Sequence, residues 1–335
     1  MRAYQVVSDA GLPDALKTSD RPEPSPGPGE VAIRMRAASL NYRDLVITQG
    51  GYPRNDTRPV IPLSDGAGEV TAIGEGVTRW SPGDRVMPNF MRDFLAGDPD
   101  EAALASGLGG GIDGVLAETV VMPASSLVAT PEHLSDEQAA TLPCAALTAF
   151  NAIDSAHTTA GDTVLLLGTG GVSIFALQFA KARGATAIIT SSSDEKLDKA
   201  KTLGADHTIN YKTHPEWHEQ VREITGGRGV DHVVEVGGPG TFERSLQSIR
   251  PAGTISMIGL LSEGQPNVIP ILLQAALIRG IYVGSVRLFE KMNRTIAAHR
   301  IEPVIDKVFG FDDVPAAYGH LASQKHVGKV VVRID

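Results

Sequence analysis

The sequence predicts an α/β chain in two parts, one mainly β and one built on a doubly wound, parallel six-stranded sheet. Three observations carry that expectation. After about residue 125, apolar runs of four to six residues alternate with segments of helical period. Before it, short runs of alternating polarity are separated by turn residues. A glycine turn, Gly168-Thr-Gly170-Gly171, closes one of the later apolar runs and opens directly into a helical segment. With 335 residues, 42% of them hydrophobic, the chain can bury two cores.

In the first part, VAIRM puts Val31, Ile33 and Met35 on one face of a strand, GEVTAIGEG ends at glycines, and SPGDRVM reads as a turn entering a strand. RPEPSPGPGE, dense in proline and glycine between two strands, is a rigid surface connection. In the second part TVLLLG, TAIIT, HTIN, DHVVEV, GTISMIG and GIYVG form the strand series. Helices lie between them, such as VSIFALQFAKARG, where Val172, Phe175, Ala176, Phe179 and Ala180 share a face. That alternation implies a parallel sheet covered on both sides. The tail from about 290 returns to mixed character and is expected to pack on the first part, which gives domains 1–125 completed by 290–335, and 126–289.

A net charge of −9 and no concentrated basic segment argue against nucleic acid as a partner. The single cysteine, Cys144, excludes an internal disulfide and a four-cysteine structural zinc lobe. MRAYQVV lacks a long apolar run, and IPILLQAALIRGIYVG is broken by Gln274, Arg279 and Gly280, so no membrane association and a cytoplasmic location are expected.

The turn approximates G-x-G-x-x-G, with Ser173 in the last glycine's place. Such glycines let the backbone approach a pyrophosphate at a helix N-terminus, so the second part is expected to bind a dinucleotide. About twenty residues later, where NAD-binding chains carry an acid for the ribose 2′-hydroxyl, the sequence reads Thr190 followed by Ser191, Ser192 and Ser193. An acid there would repel a 2′-phosphate, whereas serine hydroxyls and Lys196 would welcome it. NADP(H) is therefore the expected cofactor, and the serines are expected to cap the next helix as well.

From GEVAIRMRAASLNYRDL through PLSDGAGEVTAIGEGVTRWSPGDRV, the glycine turn, KTLGADHTINY, FERSL, RPAGTISMIG and the final GKVVV, nearly the whole chain resembles the zinc-independent branch of the medium-chain dehydrogenase/reductase superfamily, especially the quinone oxidoreductases of zeta-crystallin type. The resemblance implies a GroES-like β-rich catalytic domain, a Rossmann domain and a homodimer. Zinc-containing relatives place a cysteine, a His-Glu pair and a second cysteine around a catalytic metal. Here the first position reads Asn41, the pair reads Ser64-Asp65, and only Cys144 looks like a ligand, so no metal is expected and Cys144 reads as a small buried residue. By the same resemblance Asn41 and Tyr52 lie near nicotinamide and substrate, and Gly170, Gly171 and Val172 follow Gly168 in the pyrophosphate turn. Lys196 and Tyr211 contact the adenosine phosphate end, and Gly237 and Met257 to Gly259 line the cofactor groove. His214 and His218, four apart, read as a solvated helix face, and neither His207 nor His232 is given chemistry.

Without zinc or an evident base, oxidation of a simple alcohol lacks a means of removing the hydroxyl proton. A quinone or α,β-unsaturated carbonyl spreads incoming charge by its own conjugation, leaving Asn41 or a tyrosine hydroxyl to stabilise the oxyanion. Tyr42, Tyr52 or water would supply the proton. Hydride transfer from NADPH to such a small-molecule carbonyl or quinone is the leading expectation; a zinc-free alcohol dehydrogenase or ketone reductase, and an NADPH-binding protein without turnover, are the alternatives. GIYVGSV, apolar and last in the strand series, offers an edge for a homodimer unless the C-terminal tail covers it.

Overall fold

The structure, a computed structural model, describes residues 1–52, 59–259, 261–262, 264–265 and 267–334. It divides into two compact units, Met1–Leu147 with Val283–Asp335, and Thr148–Tyr282.

The first unit opens with an antiparallel pair, β1 (Arg2–Val6) and β2 (Leu16–Asp20). The long strand β3 (Glu30–Leu40) buries Val31, Ile33 and Met35 as its alternation requires. It leads through Asn41 into α1 (Tyr42–Thr48). There follow β4 (Asp65–Ile73), β5 (Arg85–Pro88), α2 (Glu101–Ala105), β6 (Thr119–Pro123), β7 (Leu127–Ala129), α3 (Asp136–Ala139) and a π-helical turn at Leu142–Ala146.

The second unit contains α4 (Leu147–Ser155), β8 (Thr163–Leu166), α5 (Gly171–Ala182), β9 (Thr186–Ser191), α6 (Asp194–Thr202) and β10 (His207–Asn210). It continues with α7 (Trp217–Ile224), β11 (Val230–Glu235), α8 (Pro239–Ser248), β12 (Ile249–Met257), α9 (Ile269–Leu273) and β13 (Leu277–Gly280). Its sheet is parallel, in the order β10-β9-β8-β11-β12-β13. All six residues of β11 are buried, Asp231, His232 and Glu235 among them, as befits a central strand covered on both faces. The strand order reverses between β8 and β11, the place where doubly wound sheets bind ligands beyond their carboxyl ends.

The chain returns to the first unit with α10 (Val286–His299), β14 (Ile305–Phe309), α11 (Val314–Ala322) and β15 (Lys329–Arg333). Its main sheet runs β14-β15-β3-β4-β5-β7, with β6 also paired to β3. The antiparallel register of β15 on β3 sets Val330 opposite Leu40, which brings Lys329 to the end of β3.

Two expectations shift. The first unit extends to residue 147 and resumes at 283, rather than ending at 125 and resuming at 290, because β7 pairs with β5 (Val86 opposite Ala129) and Asn293 on α10 donates to the Ala129 carbonyl. The last strand of the parallel sheet is Leu277–Gly280, not GIYVG: pairing with β12 ends where the Ile281 N–H meets the Met257 carbonyl, and Val283, with φ of 53°, turns the backbone away. Among the described residues no helix is long and apolar enough to cross a membrane.

Candidate functional site

Two groups of residues were singled out by sequence, one in each unit. In the second unit they gather at the carboxyl ends of β8 to β12. Gly168 leaves β8 with φ of 74°, a conformation that glycine adopts without a Cβ penalty, and its N–H donates to Thr190 Oγ1 at 3.2 Å. Gly170 is the N-cap of α5, and no side chain caps that helix. A Cβ built on Gly168 or Gly170 would meet nothing within 4 Å, so the backbone there is open to an incoming group. Gly171 and Val172 form the first turn of α5, whose N–H groups favour an anion by about 0.3–1 kcal/mol. Ser173 fills the third glycine's place because its hydroxyl donates back to the Leu167 carbonyl at 2.6 Å, tying helix to strand while buried. These features suit the pyrophosphate of a dinucleotide.

Ser191 ends β9 and lies opposite Asn210, and the Tyr211 N–H donates to its carbonyl at 3.0 Å, so Ser191 and Tyr211 share one corner of the sheet. The Ser191 hydroxyl is buried, 3.3 Å from that of Thr169. Ser192 follows, and Ser193 is the N-cap of α6, with Lys196 within its first turn. The expected serine cap is absent: Ser193 has extended backbone, but its side chain makes no cap bond. Asp194 accepts from Asn210 Nδ2 at 2.7 Å, which draws that carboxylate toward β10.

The loops after β11 and β12 are locked together. The buried Glu235 carboxylate accepts from the N–H groups of Gly237 at 2.7 Å and Gly238 at 3.1 Å, and from the hydroxyls of Thr241 and Ser245. Met257 ends β12, and Gly259 lies so close to β11 that an added Cβ would stand 1.6 Å from the Val236 carbonyl oxygen. Sequence reading gave Glu235 no role, although an acid closing an apolar strand was the available signal.

In the first unit the structure builds a buried polar cluster around Asn41. Lys329 Nζ, with its side chain 2% exposed, donates to the Leu40 carbonyl at 2.7 Å and to Asn41 Oδ1 at 2.5 Å, and lies 3.5 Å from Asp65 Oδ2. Asp65 is fully buried; it accepts from Ser64 Oγ at 2.7 Å and from the Cys144 backbone N–H at 3.3 Å. Asn41 Nδ2 is buried with no hydrogen-bond partner among the described residues. Asp44 accepts the Asn41 N–H at 2.7 Å, and burial pushes its carboxyl up to about 6 against the pull of Arg43. The Arg43 guanidinium donates to the Leu108 carbonyl and stacks over the rings of Tyr52 and Phe90, at 4.6 Å from each. Tyr42, by contrast, is exposed at the start of α1. Of the three expected catalytic residues, Asn41 lies in the buried cluster, Tyr52 meets it through the Arg43 guanidinium, and Tyr42 stands apart.

This donor set does not suit a catalytic zinc. Among the described residues no three His, Cys, Asp or Glu side chains converge, and the carboxylate and amide oxygens that remain face the Lys329 ammonium. Burial, reinforced by Asp65, raises the Cys144 thiol well above its ordinary value and disfavours the thiolate that a metal would need. Lys329 escaped sequence reading as a site residue, although a lysine opening the apolar run KVVV was its signature.

Residues 27–132 match the alcohol dehydrogenase GroES-like domain, and residues 171–298 match the zinc-binding dehydrogenase family. Over 99% of both chains the sequence is 49% identical to a zinc-type alcohol dehydrogenase-like protein of Schizosaccharomyces pombe. It is 33% identical to the acryloyl-coenzyme A reductase of Metallosphaera sedula over 92% of this chain and 94% of that one. A solved NAD-dependent alcohol dehydrogenase superposes over 100% of both chains with a TM-score of 0.91 at 34% identity. With a β-rich GroES-like unit, a parallel sheet in nucleotide-binding order and relatives matched from end to end, the chain belongs to the medium-chain dehydrogenase/reductase superfamily of nicotinamide-dependent oxidoreductases.

Proposed function

We propose that this protein is an NADPH-dependent oxidoreductase that reduces a quinone or an α,β-unsaturated carbonyl compound without catalytic zinc. The observation that carries this reading is Asn41 Nδ2, a buried N–H donor with no acceptor of its own among the described residues, at a position where zinc-containing relatives hold a metal ligand. The nicotinamide, when bound, supplies hydride. Gly170, Gly171 and Val172 would hold the pyrophosphate, and Ser191, Ser192, Lys196 and Tyr211 the 2′-phosphate end, with Gly237, Met257 and Gly259 lining the remainder of the groove. Asn41 would donate to the substrate oxygen as negative charge develops there; one donor of this kind is worth about 2.7–4 kcal/mol. Conjugation in the acceptor supplies the rest of the charge dispersal, and the final proton comes from Tyr42, Tyr52 or water. The similarity to an acryloyl-coenzyme A reductase supports an enone-like acceptor.

Following NADPH and NADH absorbance with 1,4-benzoquinone, a linear enone and an aldehyde tests acceptor and cofactor together. Faster decay with NADPH and a conjugated acceptor is expected; zinc that survives dialysis and is required for turnover would overturn the reading. The alcohol dehydrogenase names among the relatives favour a second reading, a zinc-free alcohol dehydrogenase or ketone reductase. Oxidation of a simple alcohol with NADP⁺ that persists after chelation would select it.

For assembly, a homodimer is proposed. β13 ends the parallel sheet, and on the neighbouring α9 Leu272 and Leu273 are 81% and 78% exposed, an apolar edge suited to a second copy. Light scattering at low micromolar concentration should give twice the 35.3 kDa chain mass; a single-chain mass would remove the proposal.

A further inference from the structure

We infer that Lys329 is the resident cation of the catalytic cluster, a positioning residue that locks the Asn41 side chain in the one orientation able to stabilise an oxyanion. This rests on the reading of Asn41 given above. A lysine ammonium has three donors and no acceptor, so the atom of the Asn41 amide that meets it at 2.5 Å must be the oxygen. The amide nitrogen is thereby turned to the opposite side, where it lies buried and unpartnered. The reverse flip would set an NH2 group against the ammonium and aim the carbonyl oxygen at the place that needs a donor. A charge-assisted bond to the carbonyl also draws electron density from the amide nitrogen, which strengthens its N–H groups as donors.

Lys329 is itself fixed. Its remaining contacts are the Leu40 carbonyl at 2.7 Å and Asp65 Oδ2 at 3.5 Å, and Asp65 is held in turn by Ser64 and the Cys144 backbone. Packing alone gives no reason for the charge: the three residues that follow, Val330, Val331 and Val332, are fully buried valines, and a buried ion pair is often no more stable than an apolar replacement. At the positions that hold metal ligands in zinc-containing relatives, this chain carries an amide, a carboxylate and a thiol, and a protein cation engages the first two.

The test uses the full chain saturated with NADPH and the acceptor that turns over fastest. Lys329→Met should lower kcat about 100- to 1,000-fold with KM within about threefold, the range for loss of one oxyanion donor. Lys329→Arg, also a pure donor, should recover most of the rate. The double variant Lys329→Met with Asn41→Ala should be no slower than Asn41→Ala alone, since the lysine acts through the amide. Multiplied losses, or Lys329→Met at the wild-type kcat, overturn the inference and leave the Asn41 reading standing. An Asn41→Ala variant at wild-type kcat overturns both. A readout independent of turnover and of the Met variant's folding is the Asn41 side-chain amide in ¹⁵N spectra, identified by its loss in Asn41→Ala. One pair of resonances is expected in the wild type and two in Lys329→Gln, whose side chain can meet either flip; a single unchanged pair in Lys329→Gln would overturn the inference.

Discussion

The two candidate sites are made of different materials. In the second unit the binding groups are mostly backbone: an uncapped helix start, a glycine turn and loops held by one buried glutamate. In the first unit the working groups are side chains, with Lys329, Asp65 and Asn41 sharing a region from which water is nearly excluded. A backbone site depends on room, so its weak points are glycines. A side-chain site depends on charge balance, so its weak points are the partners of a buried ion. The comparison can be broken or sharpened by variants that address one material at a time.

Charge balance should give the largest effect. Asp65→Ala leaves the Lys329 ammonium buried without its carboxylate, and breaking a buried pair in this way costs about 3–5 kcal/mol. Chemical denaturation should show a midpoint shifted by that amount, with cooperativity retained. A loss below about 1 kcal/mol would mean that the pair is solvated and that the first site does not differ in kind from the second.

Room comes next. Gly259→Ala forces a methyl group to 1.6 Å from the Val236 carbonyl oxygen, so the loop after β12 must move away from β11. Overpacking of this sort costs about 1–3 kcal/mol, and backbone rather than a flexible side chain stands in the way, which places this variant toward the upper end. The expected result is lower thermal stability together with weakened nucleotide binding by calorimetry. Wild-type affinity would show that the loop's position is immaterial to the cofactor.

The same division of materials explains what could be read from the sequence. The parallel sheet, the turn at Gly168 and the helix after it were legible because each is specified by neighbours within a few residues: apolar runs of strand length, glycines, then helical period. The edge strand was misplaced by a few residues because GIYVG is the more apolar run, whereas Leu277–Gly280 carries Arg279, and a positive φ at Val283 turns the chain away before the rest of GIYVG can pair. The Asn41 cluster was only half legible. Its members lie on β3, β4, the turn at Leu142–Ala146 and β15, and the bond from Lys329 to Asn41 spans 288 residues of sequence, a distance over which no local pattern operates. Chain resemblance pointed to Asn41, but the cation that orients it emerged only from strand register.

A smaller effect concerns the charged side chain proposed for the nucleotide site. If the corner formed by Ser191, Ser192, Lys196 and Tyr211 receives a 2′-phosphate, Lys196→Ala should weaken NADPH about tenfold, or roughly 1.4 kcal/mol, and leave NADH nearly unchanged. Fluorescence titration of both cofactors reads the ratio. Equal losses would assign the lysine to structure and undo the proposed preference.

The smallest effect at neutral pH is the most specific to the contrast, because each unit buries one titratable group whose pKa moves in the opposite sense for stability. In the first unit burial raises Asp44 to about 6 from 3.8. The folded state therefore holds the Asp44 proton more tightly than the unfolded chain, and the stability this contributes is complete below pH 3.8 and lost as pH rises through 6. In the second unit burial lowers His232 to about 3 from 6.5, between the hydroxyls of Thr158 and Ser256. There the unfolded chain takes the proton first, so the contribution is complete above pH 6.5 and lost as pH falls toward 3. Wild type measured against Asp44→Asn should gain stability between pH 7 and pH 4, and wild type measured against His232→Gln should lose it. Each change should be at least about 1 kcal/mol, since one unit of pKa shift is worth about 1.4 kcal/mol. Denaturant midpoints at the two pH values measure both differences; slopes of the same sign would mean that one of the two groups is hydrated in the folded protein and that the first unit's charges are not as dry as the lysine cluster requires.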